Sequence, residues 1–154
     1  MKRVWIYQSD RFFSLSAKKR IEEILIDFVT QWTAHGNQLA GSFEIRYNMF
    51  IVLTVDESKA MVTGCSIDKS VHLLKKIEDE LGIGLFDRLS VAYRNPLDQG
   101  EIKLVSRSEF EKSIEDGEVN QNTIVFNNMV TTREELATNW EIPLKDSWHS
   151  KVFL

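Results

Sequence analysis

The stretch Thr63-Gly64-Cys65-Ser66-Ile67-Asp68-Lys69-Ser70 gathers residue types that can do chemistry. A glycine turn feeding a helix leaves unpaired backbone N–H groups at its mouth, and the aligned peptide dipoles favour negative charge there. Such a terminus can hold a phosphate or a carboxylate. Gly64 supplies the turn and Ser66 the expected cap, while Lys69 and the hydroxyls of Ser66 and Ser70 add donors. Asp68 works against an anion if it sits in the first turn. The same residues also suit a helix that merely caps itself. A Walker A loop, G-x-x-x-x-G-K-[ST], is excluded. Four residues separate Gly64 from Lys69-Ser70, and none is the second glycine that lets the backbone curl round phosphates. ATP hydrolysis is not expected.

Cys65 offers a second chemistry, because a thiolate is favoured at a helix N-terminus and is then nucleophilic. A cysteine enzyme also needs a base, and the histidines are His35, His72 and His149. His72 stands seven residues on, about 10 Å up a helix at 1.5 Å per residue, too far for direct proton transfer. His149 or His35 would have to be brought in by the fold. The plainer reading of Cys65 is a small buried hydrophobe. His35, just before Gly36, suits the negative end of a helix dipole. No short His–His or Cys–His spacing and no paired acidic motif points to a metal, and no cofactor is implied.

Trp140, Trp148 and His149 can line a protein-binding groove, or anchor a C-terminal tail that packs back on the chain. Six of the 19 basic side chains, but one of the 23 acids, fall in the first 20 residues. The net charge of −4 nevertheless argues against a nucleic-acid partner, which would favour a basic domain. A single cysteine excludes an internal disulfide. Residues 1–9 lack the apolar core of a signal peptide, and the longest apolar run, 49–55, is far below the roughly 18 residues of a membrane helix. A cytoplasmic setting without membrane contact is expected. The partner is expected to be a small anionic ligand or another protein.

The elements that must position these residues follow from periodicity. Val4 to Gln8 reads as a strand. Ser14 or Ser16 can cap a helix with Ala17, Ile21, Ile24, Leu25, Phe28 and Trp32 at helical spacing, closed by Gly36. Ser42 to Tyr47 and Phe50 to Val55 form a hairpin about Asn48. The second helix buries Ile67, Val71, Leu74, Ile77 and Leu81 and ends at Gly82. Strands at Leu89 to Tyr93 and Ile102 to Val105 are separated by turns at Asn95-Pro96 and Asp98-Gln99-Gly100. Ser106-x-x-Glu109 and Thr131-x-x-Glu134 have capping-box spacing, the latter opening a helix that ends before Pro143. Thr123 to Phe126 is a strand between them. The chain is thus read as one α+β domain over residues 1–154, with a mixed sheet and about four helices. Its first six elements follow the split β-α-β order of a ferredoxin-like core.

Six segments carry a family resemblance: Val4-Trp5-Ile6-Tyr7-Gln8-Ser9, Trp32-Thr33-Ala34-His35-Gly36, Thr63 to Asp68, Leu85-Phe86-Asp87-Arg88, Ile124-Val125-Phe126-Asn127-Asn128, and the Trp140 to His149 tail. Through them nearly the whole chain resembles a family of small, uncharacterised bacterial proteins often labelled as ATPases of ABC transporters. The residues oppose that label. There is no Walker A and no LSGGQ signature, and the chain is shorter than a nucleotide-binding domain of that class. The resemblance implies relatives, and no activity or site residue comes with it.

Overall fold

The computed structural model describes residues 1–97 and 100–154, so Asp98 and Gln99 of the expected Asp98-Gln99-Gly100 turn lie outside the described residues. The α+β class stands, with five α-helices and nine strands among the described residues. The strands are shared among three sheets, and every pairing is antiparallel where a single mixed sheet is expected. The chain read above as one domain resolves by residue contacts into two units. One is Met1–Phe86 with Thr131–Arg133, the other Asp87–Val130 with Glu134–Leu154.

In the first unit β1 (Lys2–Gln8) leads to α1 (Leu15–Gln31), whose N-cap Ser14 accepts a hydrogen bond from the Ala17 N–H at 3.1 Å. Gly36 does not close this helix. The chain turns extended at Trp32, and His35 and Gly36, with φ of 50° and 78°, make the tight turn between β2 (Thr33–Ala34) and β3 (Asn37–Gln38). Two successive positive φ values are the signature of a type I′ hairpin, which explains the glycine. A second hairpin joins β4 (Ala40–Arg46) to β5 (Phe50–Asp56), with Tyr47 and Asn48 also at positive φ.

The sheet order β1-β5-β4 reproduces three strands of the split β-α-β arrangement. In a complete ferredoxin-like core the strand after the second helix would line the outer edge of β1. Here that edge is met by the 131–133 segment instead. Val4 donates to the Thr131 carbonyl at 2.9 Å, and Arg3 bridges Thr132. The ferredoxin-like expectation is therefore corrected to three strands and two helices. Ile51 and Leu53 of β5 pack with Ile21 and Leu25 of α1 and with Leu74 and Ile77 of α2 (Gly64–Leu81).

The buried stripe of α2 runs through Ser66, Ser70, Leu74 and Ile77, one residue round from the expected Ile67 and Val71. Small side chains let the helix approach closely. Each hydroxyl is satisfied within the helix, Ser66 Oγ donating to the Thr63 carbonyl (2.8 Å) and Ser70 Oγ to that of Ile67 (2.6 Å). Gly82, at φ 65°, ends α2 as expected.

The second unit is built on the sheet β7-β6-β8-β9: β6 (Ser90–Arg94), β7 (Lys103–Ser106), β8 (Ile124–Phe126) and β9 (Glu141–Pro143). Ser106 and Glu109 form the expected capping box of α3 (Arg107–Glu115). Helix α4 (Arg133–Asn139) stops before Trp140, and β9 takes the following residues, Pro143 being tolerated on an edge strand. A 3₁₀ turn (Leu144–Asp146) and α5 (His149–Phe153) complete the chain. Val91, Tyr93, Phe110, Val125 and Leu144 form this unit's core. No helix of the described residues is long and apolar enough to cross a membrane.

Candidate functional site

The mouth of α2 is set by Thr63, not by Ser66 as expected. Thr63 is the N-cap, its Oγ1 accepting from the Ser66 N–H (3.2 Å) while Ser66 Oγ accepts from the Thr63 N–H (2.7 Å). This is a capping box with serine in the place usually held by Glu or Gln. The Thr-x-x-Ser spacing is its only mark in the sequence. Moving the cap back to Thr63 places Asp68 in the second turn, so the first turn holds no acid. Thr63→Ala removes the cap acceptor and should cost about 1 kcal/mol. Urea unfolding that shows no loss of stability would contradict this role.

The hydroxyls of Ser66 and Ser70 are spent on the helix itself, and both residues are buried. They are not available as ligand donors, which corrects the sequence reading at these two positions. The amides of Gly64 and Cys65 differ. They occupy the first two helical positions and have no acceptor among the described residues, and both residues are exposed. A Cβ built on Gly64 would meet nothing within 4 Å, so the space before these amides is open. The helix is held from behind by Trp32, whose indole N–H donates to the Ser66 carbonyl at 2.8 Å.

Lys69 is exposed, with Nζ 3.4 Å from Thr33 Oγ1. It also lines a groove of about 500 Å³ between α1 and α2, with Arg20, Glu23, Asp27, Gln31 and Trp32. Two cations face two carboxylates there, so the groove itself has no preference of sign. Arg20 is further committed to Glu80, with hydrogen bonds of 2.6 and 3.0 Å. That pair raises the Arg20 pKa and lowers that of Glu80.

Cys65 is free and exposed, not a buried hydrophobe. No hydrogen bond joins its thiol to a histidine among the described residues. His35 sits in the β2–β3 turn, exposed, and not at a helix end. His149 belongs to the second unit and is 4 % exposed. Its Nδ1 shares a 2.6 Å hydrogen bond with Ser147 Oγ, and its ring stacks on Trp148 with centroids 3.8 Å apart. Burial first, and the charge of Arg107 second, lower its pKa from 6.5 to about 4.

The Ser147–His149 contact was not foreseen from sequence. It has the reach of a nucleophile–base pair, but both residues are buried and its geometry serves the tail. Trp140 is likewise buried, donating from Nε1 to Asn128 Oδ1 at 2.9 Å, while Trp148 is 41 % exposed. Trp140 and His149 thus act as anchors and do not line an open groove. Among the described residues no three His, Cys, Asp or Glu side chains group as metal ligands.

No protein-family model matches the chain, and neither curated proteins nor solved structures give a significant match.

Proposed function

We infer that the chain is a binding protein that takes a small anion or acidic group at the start of α2, through the amides of Gly64 and Cys65 with Lys69 nearby. The observation that carries this reading is the pair of exposed first-turn amides left over after the capping box has used the rest. The dipole of an 18-residue helix and the absence of a first-turn acid support it. Two amides without a glycine cradle suit a monoanionic or small dianionic group better than a triphosphate, in keeping with a protein that does not hydrolyse ATP. A reducing cytoplasmic setting suits the exposed free thiol of Cys65.

Phosphate titrated against amide NMR shifts should move Gly64, Cys65 and Ser66 before other residues. Gly64→Pro is the sharpest variant. Proline suits the first helical position, and Thr63 already has the extended backbone that a following proline requires, with φ −122° and ψ 166°. The substitution should leave the melting temperature unchanged while deleting one donor. Anion binding should weaken about tenfold, as for one lost charge-assisted hydrogen bond. Amides at 64–66 that stay still at tens of millimolar phosphate would sink the reading.

A further inference from the structure

The face of the β1-β5-β4 sheet opposite α1 and α2 holds a second depression, of about 270 Å³, separate from the mouth of α2. Strand register lays out its floor. Thr54 on β5 stands between Val4 on β1 and Ser42 on β4, and Asp56, one pleat along, stands between Lys2 and Ala40. Thr54 is 7 % exposed, yet its hydroxyl has no hydrogen-bond partner among the described residues. Among the described residues every fully buried side-chain N or O atom has a partner, so this hydroxyl keeps contact with solvent, and Thr54 lines the depression.

Arg133 forms the roof. The 131–133 segment is fixed on the outer edge of β1 by the Val4–Thr131 hydrogen bond and the Arg3–Thr132 bridge. The guanidinium nevertheless comes within 3.7 Å of Glu44 on β4, at the other side of the sheet. Arg133, Glu44 and Thr54 line the same depression, so this ion pair borders the Thr54 hydroxyl's side of the sheet.

Lys2 and Arg133 face Glu44 and Asp56 across this small space. Hydrogen bonds from Ser58, and then the charge of Lys2, hold the Asp56 carboxyl below its ordinary range. A ligand of one sign would meet a repelling group whichever sign it carried. A zwitterion can satisfy both. The Arg133–Glu44 contact is half-exposed and long, the kind of ion pair that yields readily to a competing ligand. The volume lies just below the usual range of small-molecule sites, which sets the size.

We propose that this face binds a small zwitterion of the amino-acid class, its carboxylate taken by Arg133 and the Thr54 hydroxyl and its ammonium by Asp56. The site is independent of the anion reading for α2, and its failure would leave that reading intact.

The test is amide NMR of the full chain with 4-aminobutyrate and glycylglycine as probes, and butyrate and butylamine as singly charged controls. At roughly 10–50 mM the zwitterions should shift the amides of Ser42, Thr54 and Asp56, and the controls should not. Thr54→Val should weaken binding at least tenfold with no fall in melting temperature, because the hydroxyl it removes bonds to nothing in the protein. Arg133→Gln should weaken binding to a similar extent. Should Arg133→Gln fail to fold, Thr54→Val still decides. Absence of zwitterion shifts at 50 mM overturns the proposal, as do equal shifts with butyrate or butylamine, or binding that survives Thr54→Val.

Discussion

Trp32→Ala is expected to lower the stability of the Met1–Phe86 unit by about 3–5 kcal/mol, the range for truncating a large buried aromatic. Trp32 is 1 % exposed and packs against Phe28 and Trp5, with ring centroids 5.0 and 6.2 Å away. The ring also fills the space over Gly41, where an added Cβ would lie 2.9 Å from Cε3. Alanine at position 32 would leave a cavity bordered on one side by Gly41, which has no side chain to fill it. The lost indole N–H adds a second term, since it ties the end of α1 to the Ser66 carbonyl at the start of α2. Trp32→Phe separates the two terms. It keeps much of the packing and forfeits the hydrogen bond, at an expected cost of about 1–2 kcal/mol. Urea unfolding of both variants checks the ordering, and a Trp32→Ala loss under 1 kcal/mol would show that the ring is not the keystone of this corner. The same variant should broaden the amide signals of Gly64 to Ser66, because α2 then loses its rear tether.

The local code was largely readable. Strong periodicity placed β1, α1, β4, β5 and α2, and the Ser106–Glu109 box marked the start of α3. What escaped was settled by competition between nearby signals. Gly36 reads equally as a helix stop or a hairpin turn, and only the pairing of Thr33 with Gln38 decides for the turn. Ser66 looks like a cap because serine is a good one. Thr63 three residues earlier is as good, and the reciprocal bond favours it. Buried serines on α2 broke the apolar stripe, since hydroxyls that bond back to the helix can pack like small hydrophobes. The pairing of distant strands is not local at all. Nothing in residues 90–94 announces that β6 joins β7 and β8 and leaves the β1 edge to residues 131–133. For the same reason the Thr54–Arg133 depression was invisible, being assembled from β1, β4, β5 and a segment more than seventy residues further on.

Acidification from pH 6.5 to about pH 4 should remove up to about 3 kcal/mol of stability from the unit that carries His149, through that one side chain. The imidazole is 4 % exposed, and burial, with Arg107 adding to it, lowers its pKa from 6.5 to about 4. The sign follows from which state holds the proton. Above pH 6.5 the ring is neutral in both folded and unfolded chains, and its contribution is intact. Between 6.5 and 4 the unfolded chain gains a proton that the folded unit refuses, so stability falls steadily. Below about 4 both states are protonated and the loss is complete. The depressed carboxyls Asp10, Asp56 and Glu80 all lie in the first unit and lose their stabilisation only at the acid end of this range. The interval from 6.5 to 4.5 therefore reports on His149. The structural consequence should begin at α5, where His149 is bonded to Ser147 and stacked on Trp148, and where Phe153 packs on Phe110 with centroids 4.9 Å apart. Amide exchange at 147–154 should accelerate first, and His149→Gln should flatten the pH dependence of the urea midpoint over the same interval. An imidazole that titrates above pH 6 by NMR would show the ring to be solvated and would remove the basis for the effect.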